Sequence, residues 1–581
     1  MPASATERYV RAFLDQAHAS GLRDVVVCPG SRSTPLTLAL ARHPSLRPWL
    51  HLDERSAGYF ALGLARQTGR PVGLVCTSGT AAANFLPAAV EASLSRVPLL
   101  LLTADRPPEL RDVGAAQTID QLNLYGSHAR WALDMPVTDG TEQLEDFARG
   151  VAARAVATSL TPPAGPVHLN FPFREPLVDR TTTEAPTPPR HGVASPPVQH
   201  PSETTVASLI ESLSGRRGLI VCGPESMGLP AVKLAALGSA LGWPVLADPL
   251  SGLRAGRHDL DGVVATYDAL LRNAAFGAGH VPQAVLRLGA APTSKALNVW
   301  LAGQRTIPHV VVDVAPSWRE PDGIATSMVH ADAEALCDAL LSRLGDRDRA
   351  VEGWLSDWQS AERAASSALR DAIEALDEPF EGRAPLDLAS ALPEGATLVC
   401  GNSMPVRDID SFFPRLERDV RVVGTRGASG IDGVVSSALG AAAARQGPVA
   451  LLIGDLSFFH DLNGLWAARR HDLDLTVLLV NNDGGGIFHF LPQAELAPDA
   501  FEEWFGTPSG LDFRHAVELH GGRYARLEDP RGAAAQPLAE ALARPGLDVL
   551  ELRTDRVRNV ELHRRVWAHV ATALEQRSVT A

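Results

Sequence analysis

The stretch LLIGDLSFFHDLNGLWAARRHDLDLTVLLVNNDGGG, residues 451–486, decides the fold. An apolar run, Val449–Ile453, stops at Gly454-Asp455, and a second, Leu475–Val480, stops at Asn481-Asn482. The spacing of 27 from Asp455 to Asn482 suits one crossover helix, the connection that two parallel strands require. The pattern predicts strand, turn, helix, strand, turn, with a carboxylate and a carboxamide leaving one sheet edge. That edge, at the carboxyl ends of the strands, is where open α/β sheets bind ligands. Hard oxygen donors suit Mg²⁺, which keeps waters and takes further ligands from a substrate or cofactor phosphate. Gly484–Gly486 would let backbone approach a diphosphate and lend a carbonyl. A lone acid after a strand is ordinarily a helix cap. Acid, paired amides and glycine run together favour the metal.

The 581 residues exceed what one core organises, so three domains of ordinary size are expected. Residues 1–180 alternate strand and helix, with strands expected at Val25–Cys28, Trp49–Leu52, Val72–Cys76, Leu99–Thr103 and Val167–Asn170. Residues 181–203, rich in Pro, Thr and Ser without periodicity, predict a surface linker. A second α/β unit spans 204–345, with strands at Gly218–Cys222, Pro244–Leu246, Ala284–Leu288 and Val310–Val314. A charged helical segment near 345–380 leads into the third unit, 346–581. Its strands are expected at Thr397–Cys400, Arg421–Val423, Val449–Ile453, Thr476–Val480 and Val549–Leu552. The fold class is therefore α/β: three doubly wound parallel-sheet domains, covered on both faces.

Composition narrows the partners. Hydrophobic residues at 45% and charged ones at 21% describe a soluble globular protein. A net charge of −14 argues against nucleic acid, which demands a basic footprint. The cysteines, Cys28, Cys76, Cys222, Cys337 and Cys400, lack metal spacing and predict buried reduced thiols of a cytoplasmic protein. No apolar stretch reaches membrane-spanning length. At the N-terminus Val10, Phe13, Leu14 and Ala17 form the stripe of a docked amphipathic helix. The second unit's first turn, LIVCGPESMG, lacks the dinucleotide glycine fingerprint, which disfavours a nicotinamide oxidoreductase.

Gly-Asp, a crossover and Asn-Asn together resemble the diphosphate–magnesium motif of thiamine-diphosphate enzymes, with Leu456 where that superfamily usually has glycine. Longer motifs sharpen the likeness: CPGSRSTPLTLAL (28–40), LDERSAGYFALGLAR (52–66), CTSGTAAANFLPAAVEA (76–92) and LTADRPPELRDVGAAQTIDQ (102–121). So do GNSMPVRDID (401–410), RGASGIDG (426–433), GDLSFFHDLNGL (454–465) and NNDGGGIFHFLP (481–492). These resemble the 2-succinyl-5-enolpyruvyl-6-hydroxy-3-cyclohexene-1-carboxylate (SEPHCHC) synthase family of menaquinone biosynthesis, in which Gly-Asp-Leu-Ser is the usual form.

The resemblance implies three domains: aminopyrimidine-binding, central and diphosphate-binding. It implies a carboligase that decarboxylates 2-oxoglutarate and adds the succinyl carbanion equivalent to isochorismate in a 1,4 sense. The cofactors would be thiamine diphosphate and Mg²⁺ or Mn²⁺, and the assembly a homodimer or a dimer of dimers. Glu54, following the strand that ends at Leu52, would hydrogen-bond the aminopyrimidine, a task that partial burial helps by raising its pKa. Glu54, Gln117 and Arg32 would be catalytic; Asp455, Asn482 and the Gly484 carbonyl would hold the metal. Ser403, Gly427, Gly454, Leu456, Ser457 and Ile487 would contact the cofactor, and Ile431 would prop it into a bent form. Ser31, Arg32, Arg106, Gln117, Lys295, Arg407, Arg426 and Phe488 would contact substrate. Arginine suits two dicarboxylate substrates because its planar fork binds carboxylate bidentately. Relatives often follow the equivalent of Lys295 with a second basic residue; here Ala296 stands there. Another thiamine-diphosphate carboligase, with a monoacid donor, and a catalytically silent binding protein are the remaining readings.

Overall fold

The structure is a computed structural model that describes residues 4–178, 188–192 and 196–580. Much of the expected linker, 181–187 and 193–195, lies outside the described residues. Three six-stranded sheets, each parallel throughout, carry the chain. The first contains β1 (Asp24–Val27), β2 (Arg47–Leu50), β3 (Val72–Cys76), β4 (Leu99–Asp105), β5 (Trp131–Asp134) and β6 (Val167–Pro172). Its order is β2-β1-β3-β4-β6-β5. The second contains β7 (Gly218–Cys222), β8 (Val245–Ala247), β9 (Val263–Val264), β10 (Ala284–Leu288), β11 (His309–Val312) and β12 (Ser327–Val329), in the order β12-β11-β10-β7-β8-β9. The third contains β13 (Ala396–Cys400), β14 (Val420–Gly424), β15 (Val449–Gly454), β16 (Leu475–Asn481), β17 (Arg523–Arg526) and β18 (Leu547–Arg553). Its order, β14-β13-β15-β16-β18-β17, repeats the first sheet's path strand for strand.

The central strands were legible because they are continuous Val, Leu and Ile runs buried on both faces. Four strands escaped the sequence reading: β5, β9, β12 and β17. Each lies at a sheet edge; β5, β12 and β17 are partly exposed, so their apolar signal thins, whereas β9 is buried but too short to read. β17 (RYAR) is almost wholly exposed, and β9 has two residues. The second strand also begins earlier than expected, at Arg47, so residues 51–53 separate it from the Glu54–Thr68 helix. The N-terminal helix, Ala5–Ala19, buries Val10, Phe13, Leu14 and Ala17 as its stripe requires.

By contacts the chain divides into two compact units: Met1–Pro197 with Thr425–Arg445 and His460–Asp474, and Val198–Gly424 with Gln446–Phe459 and Leu475–Ala581. In the first unit the Glu54–Thr68 helix crosses the Val434–Ala443 helix at close range. A Cβ on Gly63 would lie 2.0 Å from the Ser437 carbonyl oxygen, and one on Gly440 2.0 Å from that of Phe60. The second sheet has the doubly wound order that often binds dinucleotides. Its switch point is filled by backbone: Ala290 N–H donates to Pro224 O at 3.0 Å, and a Cβ on Gly223 would meet Ala290 O at 1.8 Å. All five cysteines are buried and none forms a disulfide. No helix among the described residues is long and apolar enough to cross a membrane.

Candidate active site

In the second unit β15 and β16 pair in parallel with Gly454 opposite Val480, so Asp455 and Asn482 leave the sheet at one edge. Asp455 is 2% exposed; its Oδ2 accepts from Gly484 N–H at 2.7 Å and its Oδ1 from Leu456 N–H at 2.8 Å. Burial pushes this carboxyl up to about 6, against the pull of those two amides. The paired asparagines divide the work. Asn481 is structural, its Nδ2 donating to Glu551 at 2.6 Å and its Oδ1 accepting from Asp483 N–H at 3.0 Å. Asn482 donates Nδ2–H to Glu381 Oε1 at 2.9 Å, while its Oδ1 is buried without a hydrogen-bond partner.

The glycine run is sterically required. Gly484 has φ +142°, and a Cβ there would lie 1.9 Å from Gly506 O. A Cβ on Gly486 would lie 2.6 Å from Asn482 Nδ2. The Gly484 carbonyl accepts from Gly486 N–H at 3.0 Å, which leaves it a second lone pair. Gly454 faces open space, and Ser457 is buried beyond it. Among the described residues no three His, Cys, Asp or Glu side chains gather as a ligand cluster. The corner instead offers one carboxylate, one orphaned amide oxygen and a backbone carbonyl. That donor set fits a hard divalent cation whose remaining ligands are phosphate oxygens and water.

Lys295, Arg407 and Ile487 line a cavity of about 470 Å³ in the same unit, together with Arg272, Arg564 and Trp567. Lys295 opens the Lys295–Ala302 helix, whose cap is Ser294, and Ala296 packs against the second sheet's core. Arg407 Nη1 donates to Ser403 O at 2.5 Å, and Ser403 has φ +66° at the mouth of the Met404–Phe412 helix. Phe488 does not line this cavity; it stands edge-on to Phe505 at 5.5 Å.

The first unit gathers a different set. Glu54 is the first residue of its helix, capped by Asp53, whose carboxylate accepts from the N–H groups of Arg55 and Ser56. Burial pushes the Glu54 carboxyl up; its helix-end N–H opposes this and Asp53 adds to it. Ser31 is exposed on the turn after β1. Arg32, 7% exposed, donates to Phe173 O at 2.9 Å and reaches Glu175 at 3.2 Å. Burial and then the Arg106 charge lower its pKa, so the two guanidinium groups share one electrostatic environment. Arg106 Nη1 donates to Ser78 Oγ at 2.7 Å, and Gln117 Nε2 donates to Ser78 O at 3.0 Å. Gln117 and Arg106 therefore meet at Ser78.

The loop that carries Arg426, Gly427 and Ile431 is clamped at two points. Glu91, 1% exposed, accepts from Gly427 N–H at 2.9 Å and Ala428 N–H at 2.7 Å. Tyr59 donates its hydroxyl to Asp432, and Gly433 lies against the Tyr59 ring where no Cβ would fit. Ile431 between the clamps is 39% exposed. Sequence reading missed Glu91 and Glu381. Glu91's one signal was an acid in an otherwise small, apolar helix, Leu86–Ser95; Glu381 carried none.

Residues 7–124 match the family model of the N-terminal TPP-binding domain of thiamine pyrophosphate enzymes. Residues 196–398 match their middle domain and 412–552 their C-terminal TPP-binding domain. A 2-succinyl-5-enolpyruvyl-6-hydroxy-3-cyclohexene-1-carboxylate synthase from Geobacillus thermodenitrificans is 49% identical over 578 residues, 98% of this chain and 97% of its own. The protein of that name from Chloroflexus aurantiacus is 48% identical, covering 99% and 98%. That from Listeria welshimeri is 42% identical, covering 98% of each chain.

Proposed function

The chain belongs to the SEPHCHC synthase family of thiamine-diphosphate enzymes, and from that premise we propose that it decarboxylates 2-oxoglutarate and joins the remaining four-carbon unit to isochorismate. The products are CO2 and SEPHCHC, a step of menaquinone biosynthesis, and the metal is Mg²⁺ or Mn²⁺. The observation that carries the reading is the orphaned Asn482 Oδ1 beside buried Asp455, at the ends of two adjacent strands. Bound thiamine diphosphate would supply a carbon nucleophile for the 2-oxo carbon and a cationic ring to take up the electron pair left by departing CO2.

The chain's own residues do the rest. Asp455, Asn482 and the Gly484 carbonyl hold the cation, and Gly454 and Ser457 border the diphosphate. Glu54, its carboxyl raised by burial, holds a proton against the aminopyrimidine ring. Ile431 on its clamped loop would support the cofactor, a positioning effect. Arg407 and Lys295 pair with carboxylates in the 470 Å³ cavity, and Ile487 keeps water from it. Arg106 and Gln117, which meet at Ser78, with Arg32 and Ser31, bind isochorismate. The active form is a homodimer or a dimer of dimers in the cytoplasm.

The test is incubation of the purified chain with isochorismate, 2-oxoglutarate, thiamine diphosphate and Mg²⁺, with mass analysis of the adduct. Preferential CO2 release from pyruvate over 2-oxoglutarate would overturn the reading.

A further inference from the structure

A side-chain amide presents two edges of nearly equal shape, and only the oxygen edge can ligate a cation. Something must hold the Asn482 oxygen towards the metal corner. We infer that Glu381 is this positioning residue, which orients Asn482 as a ligand from outside the coordination shell. The inference rests on the metal reading above.

Three observations carry it. Glu381 Oε1 accepts the Asn482 Nδ2–H at 2.9 Å, and Glu381 is 1% exposed, so no water competes for the amide. The carboxylate is itself fixed, because Thr554 Oγ1 donates to the same Oε1 at 2.8 Å. Thr554 is fixed in turn, its N–H donating to the Asn481 carbonyl at 3.2 Å. The frame thus runs from the end of β16 through Thr554 and Glu381 back to Asn482. Flipping the amide would set its oxygen against a carboxylate oxygen and turn an N–H towards the cation. Gly486 completes the lock by leaving room for Nδ2 that any Cβ would fill. The Oδ1 that results is buried and unpartnered, a donor whose orientation is set before the ion arrives. Partners of this outer kind commonly tune metal affinity about 10–100-fold.

The experiment measures Mn²⁺ affinity of the full chain with thiamine diphosphate, by the electron paramagnetic resonance signal of free Mn²⁺. Glu381→Leu is expected to weaken binding about 10–100-fold. Glu381→Gln, which keeps a carbonyl acceptor, is expected to restore most of it. The discriminating comparison uses an Asn482→Asp background. A carboxylate has two equivalent oxygens and needs no orienting partner, so adding Glu381→Leu there should cost no affinity. Equal losses in both backgrounds, or wild-type affinity in Glu381→Leu alone, overturn the inference and leave the metal reading standing. A wild-type chain that binds no Mn²⁺ overturns both. Circular dichroism checks each fold, and Glu381→Met replaces the leucine variant should that one fail to fold.

Discussion

At the scale of single residues, Glu54 shows how placement tunes a carboxyl. It begins a helix, where the dipole favours a charged carboxylate, yet burial outweighs that and pushes its pKa up. A carboxyl so placed can retain a proton that an exposed glutamate would lose. Glu54→Gln keeps the shape and removes the exchangeable proton. It should lower kcat for CO2 release from 2-oxoglutarate by about 100-fold or more, with the circular dichroism spectrum unchanged. Undiminished turnover would remove Glu54 from the mechanism. Asp455 and Asn482 were legible because they directly follow apolar strands. Glu91 and Glu381 were not, because their partners lie 336 and 101 residues away along the chain. A lone acid's task is set by what it meets, and sequence shows only its neighbours.

At the scale of elements, the crossing of the Glu54–Thr68 and Val434–Ala443 helices joins Glu54 to the Ile431 loop. Gly440→Ala would press a methyl onto the Phe60 carbonyl, which has no side-chain freedom with which to yield. Alanine's better helix propensity does not compensate. The variant should lose about 1–3 kcal/mol of stability, read as a lower melting temperature, with activity falling in parallel. Asp461 serves the same helix: it is fully buried and accepts from Ser436 N–H at 2.7 Å and from Ser436 Oγ at 3.1 Å. Burial raises its pKa from 3.8 to about 6. A carboxyl raised on folding contributes stability that is complete below its unfolded value and lost as pH rises through its folded one. Between pH 3.8 and about 6, the wild type should lose melting temperature relative to Asp461→Asn, which does not titrate. A constant gap across that window would show that Asp461 is not shifted. Strand order mattered similarly: every inner strand was readable, whereas four of the six edge strands, β5, β9, β12 and β17, were not.

At the scale of the whole molecule, a protein of net charge −14 is expected to bind anionic ligands through local sets of arginine and lysine. The metal corner adds a linked prediction. Thiamine diphosphate with Mg²⁺ should raise the melting temperature, by an amount equivalent to about 2.7 kcal/mol at one hundred times the dissociation constant. EDTA should reverse the gain, and thiamine diphosphate alone should give far less. Equal stabilisation with and without the metal would detach the diphosphate from Asp455 and Asn482.

The shared strand order of the first and third sheets has a consequence for how ligand chemistry is distributed. A cysteine stands at the end of the first strand in both, Cys28 just past β1 and Cys400 as the last residue of β13, with a serine three residues on, Ser31 and Ser403. The first residue past the fourth strand is Arg106 in one sheet and Asn482 in the other. One architectural blueprint has been furnished twice, with a guanidinium at that corner in one copy and a carboxamide in the other. What the two share is strand order, and what differs at that position is the residue each loop tip carries.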